Sequence, residues 1–261
     1  NTKYTMASRN PKISVILPAY NADKYISTSI KSILNQSFRD FELIIINDYS
    51  TDDTRKMIMK FKVKDKRIIL IDNKANLKLA RSINEGLKIA KGKYIARMDS
   101  DDWSYPSRLK VQYDFLENNP DIGIVGGSME VCDQNLRVLN LRSYQLSDKE
   151  IRNKIFFYSP FSHPLIMVRK SVLNNIGKYN HKYNPAEDYE LYFRIGTISK
   201  FANLEDVLLK YRLLSNSMTG NGTKKMEQMT MSIRKEYFEL YKASLMARIY
   251  YVFEQISLFM I

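Results

Sequence analysis

The chain has 261 residues, enough to bury a sizeable core in one large α/β unit with additions, and it carries 41 Lys and Arg against 28 Asp and Glu, a formal charge of +13. That charge admits nucleic acid, anionic membrane surfaces and phosphorylated substrates as partners, but the basic residues are spread along the chain and no nucleic-acid recognition signature occurs, so no nucleic acid is expected. A single cysteine, Cys132, excludes a disulfide framework and a Cys-rich zinc site and reads as a small buried hydrophobe.

Asn1 to Asn10 lack apolar periodicity and read as a frayed terminus. Ile13 to Leu17 is the first predicted strand. A helix follows, with Tyr25, Ile26, Ile30, Ile33 and Leu34 at helical spacing. The nearly continuous apolar run Phe41 to Ile46 predicts a strand buried on both faces. Ser50, with Asp53 three residues on, predicts a capping box for a helix reaching about Val63. Ile68 to Ile71 predicts the third strand, Leu77 to Ala90 a helix closed by Gly92, and Tyr94 to Met98 the fourth strand. Four strands and three helices alternating in this way predict a mostly parallel, Rossmann-like central sheet flanked by helices.

A helix from Pro106 to about Asn118 is followed by a predicted strand, Ile122 to Val131, and by a less regular stretch through Leu146. Ser147 is placed to cap a short helix. His163 to Val168 reads as a strand, Glu187 to Leu191 opens a helix, and Asp206 to Leu213 is a late strand. From Thr223 to Ile261 the pattern is helical, and Arg248 and Glu254 interrupt its apolar end, against a membrane span. Neither a signal peptide nor another spanning segment is visible, so a cytoplasmic location is expected. The expected organisation is a domain over residues 11–220, with a nucleotide-binding half (11–118) and an acceptor-side half (119–220), and a C-terminal helical region over 221–261.

In open sheets of this kind ligands bind beyond the carboxyl ends of the strands. Three polar ends should meet there: Pro18-Ala19-Tyr20-Asn21, Asn47-Asp48-Tyr49-Ser50 and Asp99-Ser100-Asp101-Asp102. Three acids at one strand end suit a hard divalent cation, Mn²⁺ or Mg²⁺, shared with the phosphates of a nucleotide; the bland alternative is a solvated turn capping the next helix. No Gly-x-Gly-x-x-Gly follows the first strand and no P-loop occurs, which disfavours dinucleotide and P-loop chemistry.

Together, Val15-Ile16-Leu17-Pro18-Ala19-Tyr20-Asn21, Asn47-Asp48-Tyr49-Ser50-Thr51-Asp52, Asp99-Ser100-Asp101-Asp102 and Glu187-Asp188-Tyr189 resemble glycosyltransferase family 2, with the GT-A fold, over about Ile13 to Arg212. Ile95 to Asp102, His163-Pro164 and Glu187 to Leu191 are similar to the subset that makes bacterial surface polysaccharides. The resemblance implies inverting transfer of a sugar from a nucleotide-diphosphate donor, with a UDP-sugar favoured, to a glycan or lipid-linked saccharide. It implies Asp101 as metal ligand, Asp99 as its assistant or as a ribose ligand, and Asp188, beside Glu187, as the base.

Tyr20 would stack on the nucleobase and Asn47-Asp48 hydrogen-bond it, unless these are turn residues. The family usually has two acids at 47 and 48, so Asn47 is a departure that bears on base preference. Lys78 falls where similar enzymes aim a basic residue at the diphosphate, with Arg81 beside it; both also read as solvated helix charges. His163 either lines the acceptor or diphosphate site or is structural. Trp103 and Tyr105 either stack on a sugar or anchor the loop. A further departure is Tyr211-Arg212-Leu213-Leu214-Ser215-Asn216-Ser217, where the subset often places a His after Tyr-Arg. The competing readings are a nucleotidyltransferase and a non-enzymatic membrane-surface protein. The C-terminal region either makes peripheral contact with the inner face of the membrane or packs on the catalytic domain or in a dimer.

Overall fold

The computed structural model describes residues 10–214 and 224–260. Asn1 to Arg9, the Ser215-Asn216-Ser217 part of the expected departure, the 220/221 boundary, Thr223 and Ile261 lie outside the described residues. The first half runs β1 (Ile13–Ala19), α1 (Ile26–Leu34), β2 (Phe41–Asn47), α2 (Thr54–Lys62), β3 (Ile68–Asp72), α3 (Leu79–Ile89), β4 (Tyr94–Arg97), β5 (Trp103–Ser104) and α4 (Arg108–Asn118). The second half continues with β6 (Ile122–Val125), β7 (Ser128–Cys132), β8 (Val138–Arg142), α5 (Asp148–Lys154), β9 (Met167–Arg169), α6 (Lys170–Ile176), α7 (Glu187–Gly196), β10 (Lys200–Ala202) and β11 (Val207–Arg212). Two helices, α8 (Lys224–Tyr237) and α9 (Leu245–Met260), follow.

Seven strands form the central sheet in the order β10-β6-β9-β4-β1-β2-β3. β1, β2, β3 and β4 are parallel, as the alternation predicts, whereas β9 runs antiparallel to both β4 and β6. Every residue of β1 and β2 is buried because the pleat sends alternate side chains into two different cores. Ile16, Ile44 and Ile46 pack with α3, α5 and α7, while Val15, Leu17, Leu43 and Ile45 pack with α1, α2 and α4. The result is a three-layer α/β/α architecture. A four-stranded sheet, β5-β11-β7-β8, stands beside it.

The order 3-2-1-4 makes the β1/β4 boundary the point where successive connections diverge, and this is where an open sheet offers its crevice. β4 ends there in the acids, and β1 ends there in Tyr20 and Asn21.

Several expected local features form differently. Ser50 does not cap α2: its Oγ accepts from the Asn21 N–H (3.1 Å), and it is Asp52 that receives the Thr54 N–H (3.0 Å). Gly92 does not close α3, which ends at Ile89; it lets the chain pass β1, where a Cβ would come within 2.4 Å of the Ser14 nitrogen. The run Ile122 to Val131 is two strands in two sheets, broken at Gly126-Gly127, where a Cβ on Gly126 would meet Asn203 Oδ1 at 2.1 Å. His163 to Leu165 is a 3-10 turn and the strand begins only at Met167, because Pro164 has no N–H to give a ladder. Ser147 does cap α5, in a reciprocal box with Glu150.

The helical C-terminal pattern forms two helices, α8 and α9. α8 packs on α7, with Tyr237 stacked on Phe193 (4.8 Å) and Arg234 Nε donating to Tyr189 Oη (3.1 Å). α9 folds back so that Glu254 pairs with Arg234. No described helix is long and apolar enough to cross a membrane.

Candidate active site

On the donor side, the loops after β1 and β2 are laced together. Asn21, at φ 47°, accepts from Thr51 N–H (2.8 Å), Asp52 accepts from Asp23 N–H (3.1 Å), and Thr54 Oγ1 accepts from Ala22 N–H (2.7 Å). Pro18 lies inside β1 and pairs in register with Ile46, so it shapes the loop from within the strand. Tyr20 and Tyr49 stand 51% and 54% exposed just beyond the ends of the adjacent strands β1 and β2. Tyr49, which the sequence reading gave no role, is as exposed as Tyr20 and sits at a φ of 63°.

Asn47 and Asp48 are both buried and both engaged. Asn47 donates to Asp72 (2.9 Å) and accepts from Ser50 N–H (3.3 Å). Asp48 accepts from Asn73 Nδ2 and Leu77 N–H (2.8 Å each) and from Lys78 N–H (2.9 Å). This carboxylate therefore shapes the turn that delivers Lys78 to the start of α3. Lys78 has φ 68° and ψ 170°, a region that only glycine visits easily, and its side chain, like that of Arg81, is exposed.

At the end of β4, Asp99, Asp101 and Asp102 each offer an oxygen within 4.8 Å of the others. Their burial differs. Asp99 and Asp101 are half-buried with Ser100 between them, whereas Asp102 is fully buried, accepts from Arg212 N–H (2.9 Å) and keeps Oδ2 without a partner among the described residues. Burial and then the Asp99 charge push Asp101 up to about 6, and burial with both neighbours raises Asp102 well above the usual carboxylate range. Acids held close at this cost, with an orphaned buried oxygen, fit a hard divalent cation.

Three arginines hold this loop, and the sequence reading gave none of them a role. Arg97 Nη2 lies 2.6 Å from Asp99 Oδ1. Arg108, fully buried and lowered to about 9 by that burial, donates to the Arg97 carbonyl (2.6 Å). Arg212 Nε donates to the Asp101 carbonyl (2.7 Å), and its guanidinium lies 4.4 Å from the Tyr25 ring centroid. Only Arg97 had a visible signal, a cation in the middle of the apolar strand Tyr94-Ile95-Ala96-Arg97-Met98. Trp103 and Tyr105 meet edge-to-face (4.8 Å), and Tyr105 donates to Glu130 (2.7 Å), so Tyr105 ties the loop to β7.

In the second half, α7 begins with Glu187 and Asp188. Asp188 is half-buried, accepts from Tyr189 N–H (2.8 Å) and is pushed up to about 6 by burial, with Arg97 opposing the rise. Glu187 is 2% exposed with neither oxygen partnered among the described residues, and burial followed by the Asp188 charge pushes it up to about 7. His163 pairs with Tyr179 Oη (2.8 Å), and burial plus the Arg97 charge hold it far below the ordinary imidazole value, so it is neutral. Arg97 is thus the charge felt by the acid loop, by α7 and by His163 together.

Residues 14–177 match the family model described as "Glycosyl transferase family 2". The chain belongs to glycosyltransferase family 2. Among the relatives of this family 2 enzyme, the UDP-Glc:alpha-D-GlcNAc-diphosphoundecaprenol beta-1,3-glucosyltransferase WfgD of Escherichia coli is 30% identical over 247 residues, covering 94% of this chain and 92% of its own. S. aureus TarS, solved in complex with UDP-GlcNAc, superposes with a TM-score of 0.72 at 22% identity over 87% of this chain and 66% of that one. The mannosyltransferase PcManGT of Pyrobaculum calidifontis, solved with GDP-Man and Mn²⁺, gives 0.68 at 17% identity over 89% of this chain and 65% of that one. The chain thus spans just under two thirds of the length of these solved neighbours. The fold is GT-A. Family 2 membership sets aside both the nucleotidyltransferase and the non-enzymatic reading.

Proposed function

We propose that this family 2 enzyme transfers a sugar, with inversion, from a UDP-sugar to a hydroxyl of a glycan or lipid-linked saccharide, in the cytoplasm at the inner face of the cell membrane. The observation that carries the reading is the Arg97 guanidinium, 2.6 Å from Asp99 in the acid loop and close enough to the start of α7 to oppose the rise of the half-buried Asp188 to about 6. A base in that range is ionised at neutral pH and still accepts a proton readily.

In this reaction the acceptor oxygen bonds to the anomeric carbon, its proton passes to Asp188, and the bond to the diphosphate oxygen breaks, its electron pair leaving with UDP. Glu187, raised to about 7 beside it, is partly protonated near neutrality, and that protonated form donates to an acceptor hydroxyl. Asp101 and Asp99 would hold a divalent cation, Mn²⁺ or Mg²⁺, with Asp102 fixing their loop to β11. When bound, that cation neutralises charge developing on the leaving diphosphate. Ser100 shapes the turn between the two ligands.

Tyr20, with Tyr49, stacks on the base, while Asn21, Asn47 and Asp48 order the loops beneath it and Pro18 fixes the exit from β1. Lys78 and Arg81 face the phosphates from the start of α3. His163, neutral and tied to Tyr179, orients the acceptor wall. A lipid-linked acceptor and a UDP donor are supported by WfgD, whose name specifies both, and the metal by the Mn²⁺ bound to PcManGT.

Calorimetry of UDP, GDP, dTDP and CDP binding, with Mn²⁺ present or chelated, on wild type and Asp101→Ala tests the proposal. Metal-dependent binding of UDP that Asp101→Ala abolishes is expected. A folded protein that binds none of the four would overturn it.

A further inference from the structure

Helix α9 is apolar on two opposite sides. Its inward side packs through Ala247, Tyr251 and the Glu254 that pairs with Arg234, and Tyr251 meets Phe238 edge-to-face at 5.2 Å. At 100° per residue, Leu245, Met246, Ile249, Val252, Phe253 and Ile256 fall on the opposite arc, and all six are exposed, Leu245 at 74% and Phe253 at 66%. Core packing accounts for the first side and leaves the second without a function. The helix has 16 residues, and the stripe from Leu245 to Ile256 runs along roughly 17 Å of it.

Beside the stripe Arg248 pairs with the exposed Glu239 and Arg152 with Asp148, which leaves Lys154 and Lys242 as the exposed charges of the cavity at its end. At its N-terminal end it meets a cavity of about 780 Å³ between α5, the end of α7 and the α8–α9 turn, whose lining includes Arg152, Lys154 and Lys242 beside Leu240 and Met246. Lys154 and Lys242 are exposed, and Leu240 is 64% exposed. Lys154 Nζ lies 5.6 Å from the Phe157 ring, which in turn meets Tyr250 at 5.1 Å, so the cation sits against the edge of α9. Glu254, the one acid on α9, is turned inward to Arg234 and puts no negative charge on the stripe.

We infer that the outer face of α9, with the basic rim of the adjoining cavity, seats the protein on an anionic bilayer surface. An apolar arc flanked by lysines and an interfacial tyrosine is the pattern of a helix lying in the headgroup plane, its apolar side chains among the acyl chains and its cations among lipid phosphates. A second copy of the chain fits less well. A two-fold contact uses the same patch on both subunits, which would bring Lys154 and Lys242 of each copy into one interface. The inference gives a physical basis to the inner-face location proposed above, but it stands without the sugar-transfer reading.

Sedimentation with vesicles of phosphatidylcholine alone, or mixed with phosphatidylglycerol, tests it at low and high salt. The chain should pellet with the mixed vesicles, weakly with phosphatidylcholine alone, and less at high salt. Ile249→Glu/Phe253→Glu should abolish pelleting, and Lys154→Gln/Lys242→Gln should weaken it about tenfold to thirtyfold. Both pairs are surface changes, so circular dichroism melts should match wild type. The inference is overturned if wild type stays in the supernatant, if either variant pellets as well as wild type, or if sedimentation velocity shows a dimer that Ile249→Glu/Phe253→Glu dissociates.

Discussion

Asp48→Ala should destabilise the protein by about 3 kcal/mol with no ligand present. Asp48 is 4% exposed and its carboxylate receives three donors, two of them backbone N–H groups of the turn before α3. Bonds to a charged acceptor contribute about 1.5–3 kcal/mol each when independent, and removing the acceptor also strands the donors. They are not independent here, because all three order one turn, which lies near enough to solvent for water to replace part of the loss. Part is also returned when Lys78 leaves its φ of 68°, a conformation that costs of order 1–3 kcal/mol and is held by Asp48 Oδ2. For a chain of this size the net loss corresponds to a melting temperature lower by roughly 6–12 °C. Asp48→Asn should fall between the two, since an oxygen at Oδ1 still accepts from Asn73 and Leu77. Thermal melts of the unliganded proteins, followed by circular dichroism, are the assay. If Asp48→Ala melts within about 2 °C of wild type, the carboxylate is not organising the turn and is free to serve the nucleotide alone.

Asp188→Asn should lower kcat by about 10²–10⁴-fold while calorimetric UDP affinity stays unchanged, as removal of a base requires. The wild-type rate should rise with pH through a limb near 6, because Asp188 works only when ionised; a flat profile between pH 5 and 7 argues against it. Stability of the metal-free protein should run the other way. Asp101, Asp188 and Glu187 have folded pKa values raised above the unfolded ones, so the stabilisation present below about pH 4 is lost as pH rises through about 6 to 7, and melts at pH 5 should exceed those at pH 8. Adding Mn²⁺ at pH 8 should raise the melting temperature of wild type and not of Asp101→Ala. Lys78→Gly should raise it too, since relief of about 1–3 kcal/mol of strain exceeds the ~1 kcal/mol entropy cost of glycine; a lower melt would show that the strain is absent.

The parallel half of the sheet is legible in the sequence because its strands are apolar runs buried on both faces, bounded by polar turns. β5 is not, being two residues long and defined by a partner far along the chain, and of the expected strand His163 to Val168 only Met167 and Val168 fall in β9, whose antiparallel place between β4 and β6 has no local signal. The break at Gly126-Gly127 is invisible until Asn203 and Phe161 are seen crowding the backbone. At the site, the acids announce themselves by number and position, and Arg97 by its place in an apolar strand. The Tyr179 that fixes His163 lies 16 residues away with no pattern linking the two, and Arg212 reaches the acid loop across 110 residues. Asn47 and Asp48 are right as polar ends of a strand, yet whether their hydrogen bonds are already taken depends on Asp72, Asn73 and Leu77, which only the folded backbone brings near.

β9 lies between β4 and β6, and it comes from residues 167–169. A chain leaving the ribosome N-terminus first therefore exposes the outer edge of β4 for the whole time that about seventy further residues take to appear. Its acid loop waits longer still, since Arg212 follows Asp102 by 110 positions. The nascent half-protein is a sheet whose apolar β4 edge is open and whose three carboxylates have Arg97 but still lack Arg212, the first a template for wrong strand pairing and the second a source of residual repulsion. Cutting the gene after Asn118 should for that reason give an aggregating fragment instead of a small nucleotide-binding module, and a trigger-factor-like holdase would act most strongly on this protein in that interval.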